Sequence, residues 1–159
     1  MPSQSVEGSD VFGLVAAAHI VAYNRAAKTD SVGNGGDARV PFTNLLKQLV
    51  SSVEGATGAL IIENDGEAVQ WYSRTDGERL RLRSAYLATV LKSCRRATES
   101  MNLGGLGHLV LSYDGASFVI QELSPGYYLV LEMSPFTNVA EGIHNLKRAL
   151  PELRREFEA

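Results

Sequence analysis

The sequence predicts an α/β domain of the α+β kind: five strands and three core helices in the order αββαβββα, preceded by a helical extension. Three observations predict it. Apolar residues recur at three- and four-residue steps in the stretches assigned to helices, the period of a helix with one face on a core. Between them lie short β-rich runs, several joined by Asp-Gly or Pro-Gly turns. The length, 159 residues of which 45% are hydrophobic, suits one compact domain plus a modest extension better than two domains.

Residues 1–40 read as the extension. Residues 1–10 are polar, 11–28 place Val11, Leu14, Val15, Ala18 and Ala22 on one helical stripe, and 29–39 form a Gly-rich connection. The domain itself is expected over 41–159. Pro41 suits a first helical turn, and Phe42, Leu45, Leu46, Leu49, Val50 and Val53 then mark an amphipathic helix ending at Gly55. Ala59–Ile62 and Ala68–Tyr72 flank Asn64-Asp65-Gly66 as a hairpin. A helix from Glu78 to Met101 carries Leu80, Leu87, Cys94 and Met101 at heptad spacing with Val90 and Ala97 between them, and Tyr86 and Leu91 widen the apolar face. A face that wide is either all intramolecular core or is shared between the sheet and a second copy of the helix.

Asn102-Leu103-Gly104-Gly105 closes that helix with residues that tolerate left-handed backbone. A meander follows, Leu106–Tyr113, Ser117–Leu123 and Tyr127–Met133, turning at Asp114-Gly115 and Ser124-Pro125-Gly126. Asn138 reads as the N-cap of a last helix with Val139, Ile143, Leu146, Leu150, Leu153 and Phe157 on one stripe. Pro151 interrupts it and is expected to kink or restart the helix, since it lacks an N–H and crowds the carbonyl four residues back. Whether the helices cover one sheet face or both is left open by the pattern, and the meander leaves edge strands that need blunting or pairing.

The search for chemistry returns little. Fifteen Lys and Arg against 18 Asp and Glu give a net charge of -3 and a pI near 5.6, which argues against a nucleic-acid-binding role. Cys94 is the one cysteine, so no disulfide can form within the chain and no multi-cysteine metal site exists; its place on an apolar stripe reads as a small buried hydrophobe rather than a nucleophile. His19, His108 and His144 lack partners at metal-ligand spacing. The glycines of 102–107 leave a helix rather than enter one and lack a following Lys-Ser or Lys-Thr, which argues against a phosphate loop. The expectation is a non-enzyme with no cofactor, no stable membrane insertion and a cytoplasmic location. The informative charge is local: Arg74, Arg79, Arg81, Arg83, Lys92, Arg95 and Arg96 cluster around the second core helix. Of these Arg79, Arg81, Arg83, Arg95 and Arg96 are the candidate partner contacts, against the plainer reading of a solvated face.

The segments GATGALIIENDGEAVQWYS, GGLGHLVLSYDGASFVIQELSPGYYLVLEMSP and NVAEGIHNLKRAL, with Gly58, Ala59, Ile61, Asp65, Gly66, Gly126, Tyr128, Leu129, Val130 and Asn138 as signature positions, resemble the roadblock/LC7 family over about residues 42–157. The resemblance extends to bacterial members that regulate small Ras-like GTPases. It implies a central five-stranded antiparallel sheet in spatial order 2-1-5-4-3 and a homodimer in which second core helices and third strands meet. That would put Leu80, Leu87, Val90, Leu91 and Cys94 at the helix seam and Leu109 and Leu111 on the strand that continues the sheet. It further implies an adaptor that binds a small Ras-like GTPase, or another roadblock-like subunit, and modulates hydrolysis through conformation rather than an arginine finger. The alternative is a scaffold subunit in a signalling, motility or transport assembly; an enzyme acting on a small metabolite ranks third. The N-terminal extension and Pro151 depart from the family's minimal pattern.

Overall fold

The computed structural model describes residues 40–159, so the helix expected over 11–28 and its Gly-rich connection lie outside the described residues. Helix α1 (Val40–Ser52) leads into strand β1 (Ala56–Glu63), strand β2 (Ala68–Ser73) and helix α2 (Gly77–Ser100). Strands β3 (His108–Ser112), β4 (Ser117–Ser124) and β5 (Tyr127–Met133) and helix α3 (Val139–Glu158) complete the αββαβββα order. The sheet is antiparallel throughout, in the order β2-β1-β5-β4-β3.

Strand parity divides the core in two. Ala59, Ile61, Leu129, Leu131, Met133, Val119 and Leu123 point to one face, where α1 and α3 pack through Leu46, Leu49, Val50, Leu146, Leu150 and Leu153. Leu60, Ile62, Val130, Phe118 and Ile120 point to the other, in one cluster with Leu80, Leu87, Ala88 and Leu91 of α2. Helices therefore cover both faces, the question that the hydrophobic pattern left open. α1 and α3 lie against each other on their face, while α2 lies over β1 and β2.

The close approaches are made by small residues. Gly58 on β1 leaves room for Leu80: a Cβ there would stand 2.7 Å from a Leu80 methyl. At the tip of the β1–β2 hairpin, Gly66 adopts φ +91° and sits under α2, where an added Cβ would be 3.0 Å from Ala85 Cα. Ser84 Oγ donates to the Gly66 carbonyl at 3.3 Å, so this tip is tied to α2 as well as packed on it.

Three local expectations change. β3 spans only His108–Ser112 of the expected Leu106–Tyr113. β1 starts three residues earlier than the apolar run suggests, because a bulge between Ala56 and Gly58 lets Ala56 pair with Met133. α3 runs unbroken from Val139 to Glu158 through Pro151, so the expected restart does not occur. Leu146 and Leu150 before the proline and Leu153 after it are all buried in one core cluster, so both halves of the helix keep the same face on the sheet despite the lost hydrogen bond.

Candidate interaction surface

α2 is fixed at its start by Asp76, whose carboxylate accepts the Arg79 N–H at 3.1 Å. Along it the expected seam residues divide. Leu80, Leu87 and Leu91 are buried in the chain's own core, with Leu80 seated on Gly58. Val90 and Cys94 are half-buried, as are Leu109 and Leu111 on β3. Leu109 faces Ile120 and Leu111 faces Phe118 across the ladder, which puts them on the α2 side of the sheet.

Around these lies an apolar rim that is open. Tyr86 on α2, Met101 and Leu103 at its end and Tyr113 after β3 are all exposed. Tyr86 and Tyr113, with Arg83, Leu87, Ala116 and Phe118, line a groove of about 270 Å³, and the Tyr113 ring meets Phe118 edge-on at 6.2 Å between centroids.

The arginines divide too. Arg83 pairs with the buried Glu132 at 2.7 Å, and the same carboxylate accepts the Thr57 hydroxyl at 2.8 Å. Arg81 is buried, with its guanidinium over the Trp71 ring at 4.3 Å and a bond to Glu78 at 3.3 Å. Arg95 donates to Asn64 Oδ1 at 3.2 Å and to the Tyr128 hydroxyl, tying the hairpin tip to β5. Burial pushes the Tyr128 phenol up, with the Arg95 charge pulling against it. Three of the five candidate contact arginines thus have work within the chain. Arg79 and Arg96 are exposed.

The other chemistry-bearing residues do not converge. His108 and His144 are exposed on separate elements, and His19 is outside the described residues. The glycine loop borders a hollow of about 100 Å³ lined by Arg95, Thr98, Gly104, Gly105, Tyr128 and the carboxylates Glu99 and Glu122. Two carboxylates beside one arginine make a poor seat for phosphate. The first hairpin gathers Glu63, Asp65 and Glu67, with carboxylate oxygens within 4.8 Å of one another, a trio that the alternating spacing in a tight turn would have revealed. Tyr127 donates its hydroxyl to Glu63 at 2.8 Å, and this bond and the carboxylate charge raise the phenol's pKa. Among the described residues no helix is long and apolar enough to cross a membrane.

A family model described as Roadblock/LC7 domain matches residues 42–132. Among solved structures, a Roadblock/LC7 domain from Streptomyces avermitilis superimposes with a TM-score of 0.67 at 17% identity, over 74% of this chain and 98% of that one. MglC from Myxococcus xanthus matches at 27% identity with a TM-score of 0.55, over 73% of this chain and 98% of its own. The gliding protein MglB from Thermus thermophilus matches at 17% identity and a TM-score of 0.69, over 81% of this chain and 98% of its own. No curated protein sequence matches the chain.

Proposed function

The chain belongs to the Roadblock/LC7 domain family, a family of non-catalytic adaptors and regulators, and from that premise we propose that it is a dimeric adaptor for a small Ras-like GTPase. The observation that carries the reading is where its exposed apolar residues lie. Among the described residues five large hydrophobic side chains are exposed, and Tyr86, Met101, Leu103 and Tyr113 belong to α2, β3 or their junctions. The half-buried Val90, Cys94, Leu109 and Leu111 lie on the same two elements. A second copy placed across α2 and the β3 edge would cover this set isologously and extend the sheet.

The GTPase would then be regulated through contact free energy. Binding one conformation of its switch segments more tightly than another shifts their population and alters hydrolysis with no catalytic group from the adaptor. Arg79 and Arg96 are suited to an acidic patch on that partner, whereas Arg81, Arg83 and Arg95 act first on the fold.

The test is direct binding of the purified full chain to small Ras-like GTPases of the same genome, each loaded with GDP or a GTP analogue. A preference for one nucleotide state is expected. Equal affinity for both would make the chain a scaffold rather than a regulator, and no association with any of them would overturn the proposal.

A further inference from the structure

Phe136 is ill suited to its position on two independent counts. Its backbone is left-handed at φ +68°, a conformation that glycine or asparagine adopts readily and a bulky side chain resists. Its ring is fully exposed, the fifth of the large exposed hydrophobic residues and the one that lies off α2 and β3. An asparagine would relieve both faults, so folding gives no reason for phenylalanine here.

The loop is not slack. The Ser134 N–H donates to the Gly55 carbonyl at 2.8 Å, and Thr137 Oγ1 donates to the Ser134 carbonyl at 2.8 Å. Pro135 fixes its own φ, Asn138 accepts the Ala140 and Glu141 N–H groups, and a Cβ on Gly55 would run into Thr137 Oγ1. Phe136 is therefore held outward by a loop pinned on both sides. With the backbone already ordered, only the ring's own rotamers remain to be fixed on binding, which lowers the entropic cost of using it as an interface anchor.

Two exposed cations share this end of the sheet. Arg74 follows β2 and donates its N–H to Thr57 at 2.8 Å, and Arg79 opens α2. Ser73 and Glu132 flank Gly58 from opposite sides, which sets the ends of β2 and β5 about 10 Å apart. Between the arginines, Asp76 caps α2 and Glu78 pairs with Arg81, so Arg74, Arg79 and Arg81 against Asp76 and Glu78 leave one positive charge in excess on the β2 side of the ring.

We propose that Phe136 is the aromatic anchor through which the adaptor holds its GTPase, entering an apolar pocket whose rim carries carboxylates facing Arg74 and Arg79. The inference rests on the GTPase reading above but, apart from Arg79 in the first turn of α2, uses a surface separate from the exposed apolar set on α2 and β3.

The test titrates full-length wild type, Phe136→Asn, Phe136→Tyr and Arg74→Ala/Arg79→Ala against the GTPase that the wild type binds, in both nucleotide states. Asn keeps the left-handed backbone and removes the ring. It should weaken binding at least tenfold with unchanged mass in light scattering and no fall in melting temperature, while Tyr stays within about threefold. The arginine double variant should weaken binding less and flatten its salt dependence. Phe136→Asn binding within twofold of wild type would overturn the anchor and leave the adaptor reading standing. A lower melting temperature or altered mass in Phe136→Asn would overturn it by giving the ring a structural role. If the wild type binds no GTPase, the adaptor reading falls and the anchor with it.

Discussion

The two faces of the sheet are finished differently. Under α1 and α3, Leu46, Val50, Leu146, Leu150 and Leu153 meet Ile61, Leu129, Leu131 and Met133, and none of them is more than 3% exposed. Across the sheet, α2 buries Leu80, Leu87 and Leu91 yet leaves Tyr86 exposed and Val90 and Cys94 half-covered on the same helix. On the first face, none of the exposed large hydrophobic side chains among the described residues lies on α1 or α3. On the other, a single helix serves the fold with one part of its apolar stripe and offers the rest to solvent. An apolar stripe in a sequence is thus not a measure of core; how completely each residue is enclosed separates what folds the chain from what is left to recruit a partner.

The comparison can be broken on its closed side first. Leu146→Ala should cost about 2–5 kcal/mol in urea unfolding without a change in slope, as expected for a fully enclosed leucine. A loss under about 1 kcal/mol would show that the α1–α3 face is looser than its burial indicates. Gly66→Ala attacks the joint between hairpin and α2. With φ +91° and 3.0 Å to Ala85 Cα, it should cost roughly 1–3 kcal/mol and speed amide exchange in α2.

Val90→Glu probes the open side. Being half-buried rather than enclosed, it should change monomer stability by under about 1 kcal/mol while reducing the mass in light scattering to that of the 17.2 kDa chain. A variant that stays dimeric would move the seam away from α2. Leu87→Glu, by contrast, should unfold the chain, since Leu87 belongs to the core.

The smallest effect is an alkaline one. Tyr127 and Tyr128 have raised pKa values, the first by its bond to Glu63 and the second by burial, so the fold favours their neutral forms. Their contribution to stability is complete below the ordinary phenol value of about 10 and fades as pH rises through their folded-state values. A phenolate absorbance titration should show these two ionising above the ordinary phenol value, and Tyr127→Phe should remove one of those steps at a small cost in stability at neutral pH.

Much of this was legible in the sequence, for local reasons. Helical period, the Asn64-Asp65-Gly66 turn and the Asn138 cap are short-range signals, and each marks the element that forms. The partners of the arginines are not short-range. Arg83 finds Glu132, and Arg95 finds Asn64 and Tyr128, only once the hairpin and β5 lie under α2, so the five candidate contact arginines become three internal ties and two outward cations. The heptad of Leu80, Leu87, Cys94 and Met101 likewise tracks one edge of the stripe. Its buried centre is completed by the small residues Ser84, Ala85 and Ala88, whose role is set by a glycine in another element. Phe136 shows how a left-handed site escapes notice when the residue there is not one that prefers it.

The strand order has a kinetic consequence. β1 with β2, and β3 with β4 and β5, are each joined by short turns, so both can form from neighbouring chain. The sheet becomes one only when β1 meets β5, where Leu60 faces Val130 and Ile61 faces Leu129 from distant parts of the sequence. Closing that long loop is the slow event expected of such a topology. Substitutions across the β1–β5 pair should therefore slow refolding, whereas those between α1 and α3 should mainly hasten unfolding.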